Sequence, residues 1–138
     1  MESIIAEWRI IMSKDSRIAD TELEIMKVVW KNNTPITSSD IVRELKVLMS
    51  WKETTIYTLI SRLVEKGFLS QEKQKNISCY SPTISEQEYT LEQTQGFIDK
   101  MFGGDASQLV SMLYENKKIK ACEIEYLRKH WEGESNDN

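Results

Sequence analysis

Apolar residues recur at intervals of three and four along most of the chain, and that rhythm breaks once, after residue 67. From Ala19 or Asp20, the residues Leu23, Met26, Val29 and Trp30 form one stripe, with Glu22 and Glu24 in the first turn, where the helix dipole favours negative charge. Asn32, Asn33, Thr34 and Pro35 stop this helix. Thr37, with Asp40 three residues on, opens a second helix carrying Ile41, Leu45 and Leu48, and Ser50 and Trp51 break its pattern. In the third, Ile56, Leu59, Ile60 and Leu63 fall at i, i+3, i+4 and i+7. Its opposite face holds Thr54, Thr55, Tyr57, Thr58, Ser61 and Arg62, and Gly67 ends it. Two short β-prone runs follow, Phe68 to Lys73 and Ile77 to Ser81, separated by Gln74, Lys75 and Asn76. They predict a two-stranded hairpin with a basic tip, closed by Pro82.

The helical period then returns. Ser85 and Glu88 make an S-x-x-E capping box for a helix that ends near Phe102, before Gly103-Gly104. A shorter helix, Ala106 to Glu115, carries Leu109, Val110, Met112 and Leu113. A third, from about Lys120 to Trp131, carries Ile124 and Leu127. Residues 133–138 are polar and expected to be loose. Residues 1–14 place Ile4, Ile5, Trp8, Ile11 and Met12 at helical spacing, which suits a short amphipathic helix or a frayed arm. The expected organisation is an extension (1–17), a first domain (18–82), a helical second domain (83–132) and a tail.

Three short helices followed by a small hairpin is the order of a winged helix-turn-helix, so the expected fold is mainly α with a small β-hairpin. The last three helices are too short and too few to close a core of their own. Their apolar stripes need a partner surface, and a two-fold homodimer supplies one.

Composition narrows the function. The 138 residues are 40% hydrophobic and 29% charged, and the net charge is −4. Residues 43–82 nevertheless hold seven Lys/Arg against four Asp/Glu, while residues 83–138 hold six against eleven. A basic middle and an acidic tail suit a local face for phosphates, which interact with surface charge over about 8–10 Å at physiological salt. On the third helix, hydroxyls, Tyr57 and Arg62 can donate to phosphates or base edges, and Lys73 and Lys75 extend the reach through the hairpin. A single histidine, His130, and the absence of a phosphate-cradling Gly loop argue against an enzyme. Apolar runs of about three residues cannot cross a bilayer, and no apolar signal core opens the chain, so a cytoplasmic location without membrane attachment is expected. No cofactor and no metal site are expected.

Two other readings stay open. Cys79 and Cys122 could serve a redox- or metal-responsive regulator, Cys122 gaining reactivity near a helix start. An adaptor surface for proteins is a weaker alternative, because the third helix is not an acidic face.

Several stretches resemble one family. ADTELEIMKVVW, ITSSDIVRELK, TTIYTLISRLVEKGFL, CYSP and FIDKMFGG, spanning about residues 18–131, are similar to the BlaI/MecI penicillinase repressors, a family that includes the copper-responsive CopY repressors. The resemblance implies a homodimer that binds inverted-repeat operators in double-stranded DNA and is released by an upstream signal, β-lactam or cell-wall stress. It puts Thr37 and Ser38 at the start of a phosphate-contacting helix. Lys52, Thr54, Thr55, Tyr57, Thr58, Ser61 and Arg62 fall on or next to the reading helix, and Lys73 and Lys75 on the wing. It assigns Phe97, Met101, Phe102, Leu109, Val110, Leu113, Ile124 and Leu127 to dimerisation. In β-lactam-responsive members a sensor-controlled protease cuts an Asn-Phe bond, and Met112-Leu113 stand at the matching place. Two further departures are visible. Trp51 is followed by Lys52-Glu53-Thr54-Thr55 where members often have Ser-Pro-Lys-Thr, and the Cys-x-Cys hook of copper-responsive members is absent.

Overall fold

The computed structural model describes residues 17–33 and 35–135, with side chains to residue 132. The expected N-terminal helix of 1–14 and the last three residues of the tail lie outside the described residues. The chain divides into two compact units between Glu88 and Tyr89.

The first unit runs α1 (Asp20–Lys31), β1 (Ile36–Thr37), α2 (Ser38–Met49), α3 (Glu53–Glu65), β2 (Leu69–Gln74) and β3 (Ile77–Pro82). Its core is the meeting of three helical stripes. Ile25, Met26, Val28 and Val29 come from α1, Ile41, Val42 and Leu45 from α2, and Ile56, Leu59, Ile60 and Leu63 from α3. Ile18, Ile36, Leu69 and Tyr80 close its edges. The α3 stripe is buried as its spacing requires. The α1 stripe is displaced: Ile25 and Val28 are buried while Leu23 and Trp30 are half-buried. Trp30 lies at the rim because its indole Nε1 donates to the Ile84 carbonyl at 2.9 Å. Leu48 departs from expectation at 65% exposed, since the chain turns away at Ser50, in left-handed geometry (φ 56°), before the core reaches it.

The hairpin gains a third strand. β1 pairs with β3 through Ile36 opposite Tyr80 and Thr37 opposite Cys79, giving the antiparallel order β1-β3-β2. Two residues are too few to leave an alternation signal. Thr37 also caps α2, its Oγ1 accepting from the Asp40 amide at 3.2 Å. At the far end, Gln74 faces Ile77, so the loop is Lys75-Asn76 alone, with φ of 53° and 68°. Both residues left-handed is the type I′ geometry that matches the twist of a hairpin. Asparagine tolerates it, whereas lysine carries a Cβ into a disfavoured region.

Gly67 (φ 85°) turns the chain out of α3. The Phe68 amide donates to the Leu63 carbonyl at 2.9 Å and the Gly67 amide to Val64 at 3.1 Å, a Schellman closure.

One charge enters this core. Glu22, expected simply to favour the helix dipole, is 1% exposed. Its Oε1 accepts from the Ala19 amide at 2.8 Å and from Lys66 Nζ at 2.7 Å. Lys66 also donates to the Arg17 carbonyl at 2.9 Å. The start of α1 is thereby tied to the end of α3.

The second unit takes in most of α4 (Glu86–Phe102), then α5 (Ala106–Glu115) and α6 (Ala121–Ser135). Ser85 Oγ accepts from the Glu88 amide at 3.1 Å, and Asp105 Oδ1 accepts from the Ser107 amide at 3.0 Å. The Ser107 hydrogen bonds hold the Asp105 carboxyl below its ordinary value. Gly103 and Gly104, at φ 60° and 88°, make the turn between α4 and α5. The last helix continues to Ser135, past the expected end at Trp131, with Arg128 bridging Glu125 and Glu132 along it. Among the described side chains of this unit, Tyr89 and Ile98 are buried, and none of α5 or α6 is.

Removing one partner of a buried ion pair costs about 3–5 kcal/mol, because the other charge stays in the core. Lys66→Met is expected to lower unfolding stability by about that much, and Glu22→Gln combined with Lys66→Met to recover part of the loss. Urea unfolding of the two variants measures this, and equal stability of Lys66→Met and the parent would contradict it.

Candidate nucleic-acid interface

Burial of Ile56, Leu59, Ile60 and Leu63 leaves more than half of the α3 circumference outward. Thr54, Thr55, Tyr57, Thr58, Ser61 and Arg62 are all exposed there, and Lys52 stands exposed at the residue before the helix. The structure therefore brings together on one surface the seven residues expected on the reading helix. The Thr58 hydroxyl donates to the Thr54 carbonyl at 2.8 Å, so its oxygen remains an acceptor while its proton is committed to the helix. Thr37 and Ser38, at the start of α2, are half-buried. Lys73 and Lys75 are exposed on the β2–β3 hairpin, Lys75 at its tip.

Charge is sorted within this unit in a way the linear count does not reveal. Lys31 pairs with Glu44, Arg43 with Asp40, Lys46 with Glu53, Lys66 with Glu22 and Lys27 with Glu24. Within residues 18–88, Lys52, Arg62, Lys73 and Lys75 have no ion-pair partner among the described residues. These four are the cations of α3 and the hairpin. Lys66 counted toward the basic middle in sequence, yet it is spent inside the fold against Glu22.

Between α2 and α3 lies an open hollow of about 370 Å³, lined by Ser39, Arg43, Lys46, Glu53 and Tyr57 over the apolar Val42 and Val47. The Lys46–Glu53 pair crosses it at 3.1 Å. Glu53 was visible in sequence within the departure Lys52-Glu53-Thr54-Thr55, and it is the first residue of α3; what the sequence did not show is its meeting with Lys46.

The other candidate residues sit in the second unit. Phe97, Met101 and Val110 are exposed at 49%, 60% and 43%, while Phe102, Leu109, Leu113, Ile124 and Leu127 are half-buried. Phe97 and Phe102 meet edge to face at 6.0 Å. Met112 and Leu113 lie within α5, the first exposed and the second half-buried. Cys79 is half-buried in β3, opposite Glu72 and Thr37, and Cys122 is exposed in the first turn of α6. No group of three metal-ligating side chains occurs among the described residues, and no described helix is long and apolar enough to cross a membrane.

The chain is similar to several known proteins. The penicillinase repressor family profile matches residues 18–133. A penicillinase repressor of Bacillus licheniformis is 33% identical over 116 residues, covering 84% of this chain and 90% of that protein. The methicillin resistance regulatory protein MecI of Staphylococcus epidermidis is 30% identical over the same length, covering 84% and 94%. Among solved structures, the monomeric form of B. licheniformis BlaI in complex with the blaP half-operator is 38% identical, covering 53% of this chain and 88% of that one, with a TM-score of 0.47. The chain belongs to the penicillinase repressor family, whose members are transcriptional repressors rather than enzymes.

Proposed function

We propose that this chain represses transcription by binding inverted-repeat operators in double-stranded DNA as a homodimer. The observation that carries the reading is the charge sorting. Within residues 18–88, the cations without acidic partners among the described residues are Lys52 just before α3, Arg62 on its outward face, and Lys73 and Lys75 on the wing. A duplex displays phosphates on both sides of its major groove. A helix with small hydroxyls, one tyrosine and one arginine, flanked by a basic hairpin, matches that surface. Thr37 and Ser38 at the start of α2 offer a hydroxyl and a helix N-terminus to the backbone.

Exposed Phe97, Met101 and Val110 and the half-buried stripes of α5 and α6 support association through the second unit. Two reading helices about 34 Å apart would then occupy one face of an operator and occlude a promoter. Family membership supports release by an upstream signal of β-lactam or cell-wall stress, through a sensor-controlled protease acting in the cytoplasm. The segment of α5 at Met112-Leu113 is the candidate cut. Severing it would uncouple the two half-sites, whose linkage is worth about 10²–10⁴ in avidity.

Four outcomes test the reading. Titration of the full chain against an inverted repeat from upstream of its own gene should show binding that survives about 150 mM salt, with a steep salt dependence. Arg62→Ala should weaken it by about 1–3 kcal/mol. Lys75→Asn should do two opposite things. It relieves a left-handed lysine, raising unfolding stability by about 1 kcal/mol, and it removes a phosphate contact, lowering the magnitude of the salt slope by about one. A stability gain with an unchanged slope would take Lys75 off the DNA. Finally, Phe97→Glu with Met101→Glu should give a folded monomer in sedimentation that binds a half-site as before and the full operator only weakly. A stable dimer from that variant would place association elsewhere.

A further inference from the structure

DNA binding through α3 leaves one side chain unexplained. Glu53 is the first residue of the helix, and its next acidic neighbour along α3 is Glu65 at the opposite end. A helix start tolerates an acid well. A carboxylate presented to a polyanion is nevertheless a cost unless it meets a donor. Its side chain is 56% exposed, and one oxygen accepts from Lys46 Nζ at 3.1 Å across the α2–α3 turn. The second oxygen has no hydrogen bond among the described residues.

Resting on the proposed DNA reading, we infer that Glu53 is a specificity-determining residue that accepts a hydrogen bond from the exocyclic amino group of a cytosine in the major groove, with Lys46 as the positioning residue. The argument is one of donors and acceptors. First-turn side chains of a reading helix are the ones that reach base edges. An ionised carboxylate only accepts. Guanine presents O6 and N7 and thymine presents O4, all acceptors, so each repels it. Adenine presents its amino group beside the acceptor N7. Cytosine presents an amino donor alone, which makes it the base that fits. Lys46 compensates the charge from the α2 side and fixes one oxygen, leaving the other to read. The neighbours on this edge, Ser39, Arg43 and Tyr57, supply donors for the adjoining backbone.

The experiment selects duplexes randomised across a half-site with the full-length parent, E53Q, E53A, K46M and E65Q, and sequences what each retains. The parent is expected to favour a C·G pair at one position by about tenfold. E53A loses that preference and keeps the others. E53Q moves the same position to adenine, because a carboxamide offers the donor and acceptor that match N7 and N6. K46M broadens that position without moving it, and E65Q changes nothing. If E53A and E53Q instead retain the parent's preference and change affinity for every duplex alike, Glu53 acts only as a general charge and the inference is overturned. A parent that enriches no sequence would bring down the DNA reading itself, a result distinct from an unchanged preference among the variants.

Discussion

A thirteen-residue helix can bury only one face, and in α3 that face is Ile56, Leu59, Ile60 and Leu63, each no more than 4% exposed. Everything said of the reading surface follows from this constraint. Burial of the stripe against α1 and α2 leaves no rotational freedom about the helix axis, so Thr54, Tyr57, Ser61 and Arg62 must face outward. Burying a side chain of this size contributes about 1.5–3 kcal/mol, so a rotation that exposed the stripe would cost more than a domain of this size can spare. The Schellman closure at Gly67 and the Glu22–Lys66 pair then secure the far end of the helix.

The Glu22–Lys66 pair also shows why a charge count over a stretch of sequence is a weak guide to a surface. Lys66 is three-quarters buried and already neutralised. Arg43 pairs with Asp40 on the same helix, and Lys46 meets Glu53 at the start of α3. Within residues 18–88, what remains for a polyanion is Lys52, Arg62, Lys73 and Lys75. Exposed ion pairs of this kind contribute little to stability, about 0–1 kcal/mol. Their larger consequence is in charge distribution, since within residues 18–88 they leave Lys52, Arg62, Lys73 and Lys75 without acidic partners among the described residues.

Much of this was legible in the sequence, for physical reasons that differ by element. The α3 stripe was plain because four branched apolar residues at i, i+3, i+4 and i+7 admit a single buried face. The hairpin was plain because the period changed from helical to extended. β1 was hidden, since two residues cannot display a period. Glu22 stands in the first helical turn as expected, but its burial was hidden because that position has a sufficient local explanation and its partner lies 44 residues away. The same holds for Lys46 and Glu53, whose meeting depends on how tightly the α2–α3 turn closes. Leu48 looked like core because periodicity does not report where a helix outruns the surface beneath it. The DNA-contact and dimerisation surfaces leave no such internal mark, because their partners are other molecules.

The α5 helix is ten residues long and buries no side chain within the chain. A lone helix of fewer than about 12–15 residues is marginal in water. With only Leu109 and Leu113 half-buried among its apolar residues, its amides are expected toward the low end of the local-opening scale, and those of α1 to α3 toward the high end. A peptidase needs an extended strand in its cleft, and a helix that frays this cheaply hands one over without the rest of the protein unfolding. Whatever covers α5 in the cell thereby becomes the guardian of its lifetime.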